Sequence, residues 1–160
     1  MVTVERVKEL LHYDPDTGVF KWRTQVARNV RAGDVAGHKN RRGYIMIGID
    51  GGQYLAHRLA WLCVTGNWPT FQIDHKHGNG LDNRWSELRP ATRSFNMQNQ
   101  RNAQRGNKSG MLGVTKVGYG FIARIVFNKK IKHLGTFNTP AEAHEVYLNE
   151  KRKLHQGCTI

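Results

Sequence analysis

Apolar positions fall in short, well-separated groups along this chain, and their spacing changes from helical to alternating and back. Val4, Val7, Leu10 and Leu11 recur at helical spacing, which predicts a short amphipathic helix over 3–12. Asp14-Pro15-Asp16-Thr17-Gly18 stops it with a turn, and Val19 to Trp22 reads as a strand. Residues 24–42 have no period and carry Gly and basic side chains, as an exposed loop does. Tyr44 to Ile49 is rich in β-branched residues and runs through Asp50-Gly51-Gly52 into Gln53-Tyr54-Leu55, a hairpin pattern. Residues 57–65 read as a buried helix ended by Gly66 and Pro69. Phe71-Gln72-Ile73 is a short strand that enters a polar loop running to Ser86. Glu87-Leu88-Arg89 can pair back on it, and a helix from about Thr92, its cap, to Ala103 follows.

Arg105 to Gly110 is short, polar and Gly-rich, and it marks a domain boundary. Beyond it, strands are predicted over 112–117, 120–127 and 130–137. In the middle one, Phe121, Ala123 and Ile125 alternate with Ile122 and Arg124, so one face can pack on a helix while Arg124 points outward. That helix opens at Thr139-Pro140-Ala141-Glu142, with a cap, a first-turn Pro and an acid. It runs to about His155 and turns Ala143, Val146, Tyr147 and Leu154 to the sheet, while Lys151, Arg152 and Lys153 suit its C-terminal dipole. The fold class is therefore α+β, in two modules: 1–104, a linker over 105–110, and 111–160.

Charge narrows the class of partner. The 160 residues carry 25 Lys+Arg against 12 Asp+Glu, a formal charge of +13. The longest apolar stretch, Leu59 to Val64, is six residues, too short for a membrane span, so no membrane partner is expected. No charged start leads into an apolar run, and an intracellular, cytoplasmic location is expected. Cys63 and Cys158 are the only cysteines, which argues against a disulfide scaffold and a structural zinc site. The charge is uneven: residues 1–100 hold 14 basic and 9 acidic side chains, and 101–160 hold 11 and 3. Between Glu87 and Glu142 there is no acid in 54 residues that include ten Lys or Arg. Ordered strands with an acid-free surface suit a phosphate backbone, with double-stranded DNA the leading candidate. An RNA- or ribosome-associated protein would suit the charge as well.

The densest reactive cluster is Asp74-His75-Lys76-His77-Gly78-Asn79, followed by Asp82, Asn83 and Asn96. Adjacent residues at a strand end diverge, so Asp74 can meet a metal while His75 faces a water or phosphate. Asn99 and Gln100 share a helix face with Asn96. Two oxygen ligands, with water and phosphate in the remaining positions, describe Mg²⁺ or Mn²⁺ better than Zn²⁺. By composition alone, Asp74, Asn79, Asp82 and Asn83 serve equally well as turn residues. His77 reads as an exposed loop residue. Trp61, Trp68 and Trp85 read as packing residues, and His57 reads equally as a structural or a site histidine. Arg28, Arg31, Lys39, Arg41 and Arg42 form a basic loop able to track a backbone.

Ile73-Asp74-His75-Lys76-x-Gly78-Asn79-x-x-Asp82-Asn83, then Leu88-Arg89, Thr92, Asn96 and Asn99-Gln100, resembles the ββα-metal motif of HNH endonucleases, especially the phage and intron-encoded homing branch. Tyr13-Asp14-Pro15-x-Thr17-Gly18 and His57-Arg58-Leu59-Ala60-Trp61 resemble those proteins too, so the likeness spans roughly 12–103. It implies a nuclease module with its ββα core at about 70–103. Asp74 and Asn96 would ligate one divalent ion, Mg²⁺ or Mn²⁺, with His75 as general base. Asn83 and Glu87 would hold the loop, and Arg58, Lys76, Arg89, Arg93 and Asn99 would lie along DNA. Glu87 is a departure, because the family has an Asn there that orients the His. An ionised Glu accepts hydrogen bonds but donates none. Either Asn83 takes over that role or the loop and the activity are altered.

Ser109-Gly110-x-x-Gly113-Val114, Phe121-x-Ala123-x-Ile125, Leu134-Gly135-Thr136-Phe137 and Glu142-Ala143 with Tyr147 resemble the Apetala-type domain of plant ethylene-response factors, over about 107–157. This implies a three-stranded antiparallel sheet, backed by one helix, that lies in the DNA major groove. Lys116, Arg124, Lys130, Lys132 and His133 are the candidate contacts there, although Lys132 and His133 cannot point the same way in a regular strand. Together the resemblances imply a metal-dependent DNA endonuclease of phage or mobile-element type, working as a monomer or weak dimer. The competing expectation is a non-catalytic DNA-binding protein whose nuclease site has decayed.

Overall fold

The computed structural model describes residues 1–155 and Cys158, so the last positions of the 111–160 module lie partly outside the described residues. The chain divides into two compact units, Met1–Thr92 and Arg93–Ile160. The first combines three small antiparallel sheets with two α-helices and the second one such sheet with two, an α+β arrangement among the described residues.

In the first unit, helix α1 (Val4–Leu10) is capped by Thr3, whose side chain accepts from the Arg6 N–H. The helix ends earlier than its apolar period suggests. Leu11 is extended (φ −127°, ψ 143°) and opens strand β1 (Leu11–Tyr13), which pairs with β2 (Phe20–Trp22) through Leu11 opposite Trp22. Leu11 thus stays buried while leaving the helix. Strands β3 (His38–Lys39), β4 (Ile45–Ile49) and β5 (Gly52–Leu55) form a three-stranded sheet that leads directly into α2 (Ala56–Thr65). Strand β6 (Gln72–His75) pairs with β7 (Leu88–Ala91), and a 3₁₀ turn over Trp85–Glu87 precedes β7. Val7, Leu11, Ile47, Leu59, Ile73 and Leu88 anchor one core beneath these elements.

The second unit begins with α3 (Arg93–Gln98), shorter than the predicted helix over 92–103. Residues 105–110, expected as a linker, lie inside this unit. Asn107 Nδ2 donates to the carbonyls of Met111 and Val114, and Ser109 Oγ donates to Val114 O at 2.8 Å. Strands β8 (Val114–Val117), β9 (Gly120–Phe127) and β10 (Lys130–Phe137) form an antiparallel sheet in the order β10-β9-β8. Asn128 and Lys129 both take positive φ, the conformation of a two-residue hairpin turn between β9 and β10.

Helix α4 (Pro140–Leu154) backs the sheet, with Thr139 as its cap. Ala143 and Tyr147 join Val114, Ala123 and Ile125 in the core, and Leu148 and Leu154 pack at its margin. Val146 is only half-buried. The completely buried member of the last turns is Lys151, 1% exposed, whose Nζ donates to Gln100 O and lies 5.8 Å from the Tyr147 ring centre. Burial lowers the pKa of this ammonium. Gly113 has φ 76°, and a Cβ there would fall 2.1 Å from the Tyr147 ring, so this position accepts only glycine.

Candidate active site

The last two residues of β6 are the candidate metal ligand and the candidate general base. Asp74 and His75 are both buried, at 8% and 5% exposure, and the alternation of a strand sends them to opposite faces. Asp74 sits opposite Arg89 in the β6–β7 register, and the cross-strand pair is closed: Arg89 Nε and Nη2 both reach Asp74 Oδ2, at 2.8 and 2.7 Å. The predicted DNA contact at Arg89 is thus engaged by the predicted metal ligand.

His75 faces an aromatic wall. Its ring lies 5.1 Å from that of His57, edge-on at 85°, and 5.8 Å from that of Tyr44. Tyr44 also lies 5.5 Å from His57. His57 is the second residue of α2, 7% exposed, with no hydrogen-bond partner at Nδ1. Burial first, then the nearby charges of His75 and Arg58, pushes its pKa down to about 3. Burial lowers the His75 pKa as well, outweighing Asn83 and the carboxylates of Asp74, Asp82 and Glu87, which act in the opposite direction. Both rings are therefore held neutral near pH 7.

The loop after His75 is clipped at several points. Gly78 N–H donates to His75 O at 2.8 Å, and Lys76 N–H donates to Glu87 O at 2.9 Å. Lys76 Nζ turns back to Ser86 O, 2.5 Å away. Glu87 is buried, its side chain 11% exposed, and it meets His77 Nδ1 at 2.7 Å. The sequence marks His77 as an exposed loop residue and Glu87 as a departure from the family's Asn. The ring is indeed open to solvent at its far side, but one edge is tied down. No spacing rule in the sequence reveals this pair.

Asn83 is 3% exposed. Its Nδ2 donates to Leu81 O at 3.2 Å, while Oδ1 makes no well-formed hydrogen bond and the amide faces His75 closely enough to favour the protonated ring. The Tyr13–Gly18 turn braces this loop from behind. Tyr13 Oη donates to Asn83 O at 2.8 Å, and Trp85 N–H donates to Pro15 O at 2.9 Å. Gly18 has φ 73°, and a Cβ there would lie 2.4 Å from the Asn83–Arg84 backbone. The upstream motif is therefore a scaffold for the site loop. Asp82 is taken by Arg84, at 2.6 Å, which lowers its pKa.

The remaining predicted site residues divide by unit. Arg58 donates to Pro69 O at 2.9 Å and lies 5.9 Å over the Trp68 ring, so its guanidinium is bound into the first unit. Arg93 and Asn96 sit in α3, and Asn99 follows it, 5% exposed, its N–H on Phe95 O. In the sheet, Arg124 and His133 are opposite one another and exposed. Lys132 is opposite Ile125, on the helix side, and its Nζ meets Glu150 Oε1 at 2.6 Å. Lys116 and Lys130 oppose Phe121 and Phe127, and both remain exposed. The register shift between His133 and Gly135 comes after this divergence.

Residues 54–98 match the family described as HNH endonuclease. This supports a nuclease, a hydrolase acting on DNA, at the level of the family. No curated protein and no solved structure matches the chain. Among the described residues no helix is long and apolar enough to cross a membrane.

Proposed function

We propose that the chain is a metal-dependent DNA endonuclease of the phage or homing type, whose second unit is an Apetala-like DNA-binding module. The observation that carries this reading is the buried Asp74-His75 pair at the end of β6, inside the segment that matches HNH endonucleases. His75 is the general base. Its lowered pKa keeps the ring neutral at pH 7, and a neutral imidazole nitrogen accepts the proton of the attacking water. The His57–Tyr44 wall limits how far that ring can rotate. The loop clip between Glu87 and His77 supports a working site over a decayed one, because it supplies the tie that the departure from Asn would have removed.

The described residues contain no group of three or more His, Cys, Asp or Glu side chains placed for a metal. The hard oxygen donors proposed here, Asp74 and Asn96, suit Mg²⁺ or Mn²⁺ with water and phosphate completing the shell. Such an ion supplies positive charge for the phosphate oxygens as they gain negative charge in the transition state, a contribution of several kcal/mol. Arg89 holds Asp74 in place and keeps its buried charge paired. By the family resemblance, products carry 5′-phosphate and 3′-hydroxyl ends, and one base per chain makes one cut in one strand.

The test uses supercoiled plasmid with Mg²⁺ or Mn²⁺, with and without chelator, beside His75→Ala. Nicked circles are expected from the wild type with metal alone. If wild type and variant leave the plasmid equally intact while both retard duplex DNA, the non-catalytic DNA-binding reading replaces the nuclease.

A further inference from the structure

The outer face of the β8–β9–β10 sheet mixes β-branched side chains with a single charged row, where a phosphate-tracking face would be charged throughout. Val114, Ala123 and Ile125 point to the core under α4, so the register fixes what stands on the opposite side. One row holds Thr115, Ile122 and Thr136, the next holds Arg124 and His133, and a third holds Val126 and Ile131. Arg124 confirms this sidedness by donating to Thr115 Oγ1 at 2.8 Å. Val126 and Ile131 stand directly opposite each other at 58% and 69% exposure, and Val117 is 52% exposed. β-Branched side chains thus fill both faces of a three-stranded sheet, and one of those faces meets water. The Val126–Ile131 pair is the exposed apolar spot of this face and lies beside the Arg124–His133 row, a mixed surface suited to recognition.

The ionisable members of the patch, Arg124 and His133, carry no negative charge, and the whole sheet lies in the acid-free stretch from residue 88 to 141. The occupant must be anionic overall yet present small apolar groups. The major groove of duplex DNA has both properties, with phosphates along its rims and thymine 5-methyl groups on its floor. We propose that this face reads thymine: the methyl groups of Ile122, Val126 and Ile131 pack on thymine methyls, and Arg124 is placed to fork onto a neighbouring guanine. Lys129, in the hairpin turn, then meets a flanking phosphate. The inference rests on the second unit being a DNA-binding module, as proposed above.

The experiment uses the full chain carrying His75→Ala, so that the DNA survives. Duplexes selected from a random pool are expected to share a run of T·A pairs beside a G·C pair. The selected duplex is then made with uracil in place of thymine, which keeps the pairing and removes only the 5-methyl groups. Affinity is expected to fall roughly fourfold per contacted methyl, the worth of one buried carbon. The same chain with Val126→Ser and Ile131→Ser, both exposed positions, is expected to lose most of the preference for thymine over uracil and to keep only the part that Ile122 supplies. Equal binding of the two duplexes without the serine changes overturns the proposal. So does a serine variant that keeps the full thymine preference. A dimer that sediments only without the serine changes, with the thymine preference intact in both, assigns the face to a second copy of the chain. Failure to bind any duplex removes the DNA-binding reading itself, a different result from indifference to the methyl.

Discussion

Arg89→Met tests whether Asp74 is a carboxylate kept charged for a cation. In the folded protein the two Arg89 nitrogens at 2.8 and 2.7 Å are the ion-pair partners of a side chain only 10% exposed, and Arg89 itself is 21% exposed. Removing one member of a fully buried pair costs about 3–5 kcal/mol, and an exposed pair is worth roughly 0–1 kcal/mol. This pair lies closer to the buried limit, so a loss of about 2 kcal/mol is expected after solvent screening at the Arg89 end. For a unit of this size that lowers the melting temperature by roughly 10 °C. Methionine keeps much of the Arg stem's volume, so the loss reports charge rather than a cavity. A divalent ion at 100 times its dissociation constant returns about 2.7 kcal/mol by mass action, enough to recover the deficit. Melting followed by circular dichroism, with chelator and then with a Mg²⁺ or Mn²⁺ series, reads both halves. The variant is expected to melt lower without metal and to gain more from metal than the wild type does. Melting within about 2 °C of the wild type in chelator would refute the pairing argument, and an equal gain in both proteins would refute the link to a cation.

The other predictions concern separate parts of the molecule. His77→Ala and Glu87→Gln are each expected to slow plasmid nicking, and the double change to slow it no further; additive losses would mean the pair does not act as one clip. In melting, their coupling should be small, about 1 kcal/mol, because the His77 end is 67% exposed. His57, ordinarily near 6.5, is held at about 3 by burial, so between those values the unfolded chain binds more protons than the folded one. Its contribution to stability is fully present above pH 6.5 and declines as the pH falls towards 3, by a few kcal/mol at most. His57→Phe should therefore flatten the melting-temperature profile on the acid side; an unchanged slope would assign the acid sensitivity elsewhere. Gly113→Ala must fit a methyl into the Tyr147 ring at positive φ, and should destabilise the second unit by about 3 kcal/mol; wild-type melting of that unit would contradict the packing described.

How far the fold could be read depended on whether local pattern or long-range pairing decided each segment. The β4–β5 hairpin, α2, the three C-terminal strands and α4 have strong periods or caps, and all form close to where the pattern puts them. Leu11 satisfies the helical period but is taken by pairing with Trp22, a partner that helical spacing cannot reveal. The shortness of α3 suits its Asn- and Gln-rich end, since those side chains gain little from a helix. At the site, the Asp-His pair was plain from residue type. The Arg89 pairing needed the β6–β7 register, and the Glu87–His77 clip needed the loop to close. Lys151 was the least legible residue. Its neighbours Arg152 and Lys153 are solvated, as three consecutive cations at a helix end suggest, and only the path of the chain at Gln100 buries the first of them.

That buried lysine bears on how such a unit could be moved between proteins. Its ammonium joins the last turns of α4 to the Gln100 carbonyl, early in the second unit, so these two stretches lie side by side. A module in which an early and a late stretch are clasped together can be spliced into a surface loop of another protein, or permuted so that its chain starts within a hairpin, without stretching its sheet. The clasp sets the condition for such a graft. A transplant cut after residue 100 but short of Lys151 would leave the Gln100 carbonyl without its ammonium partner, whereas one that keeps both carries its own closure to the new host.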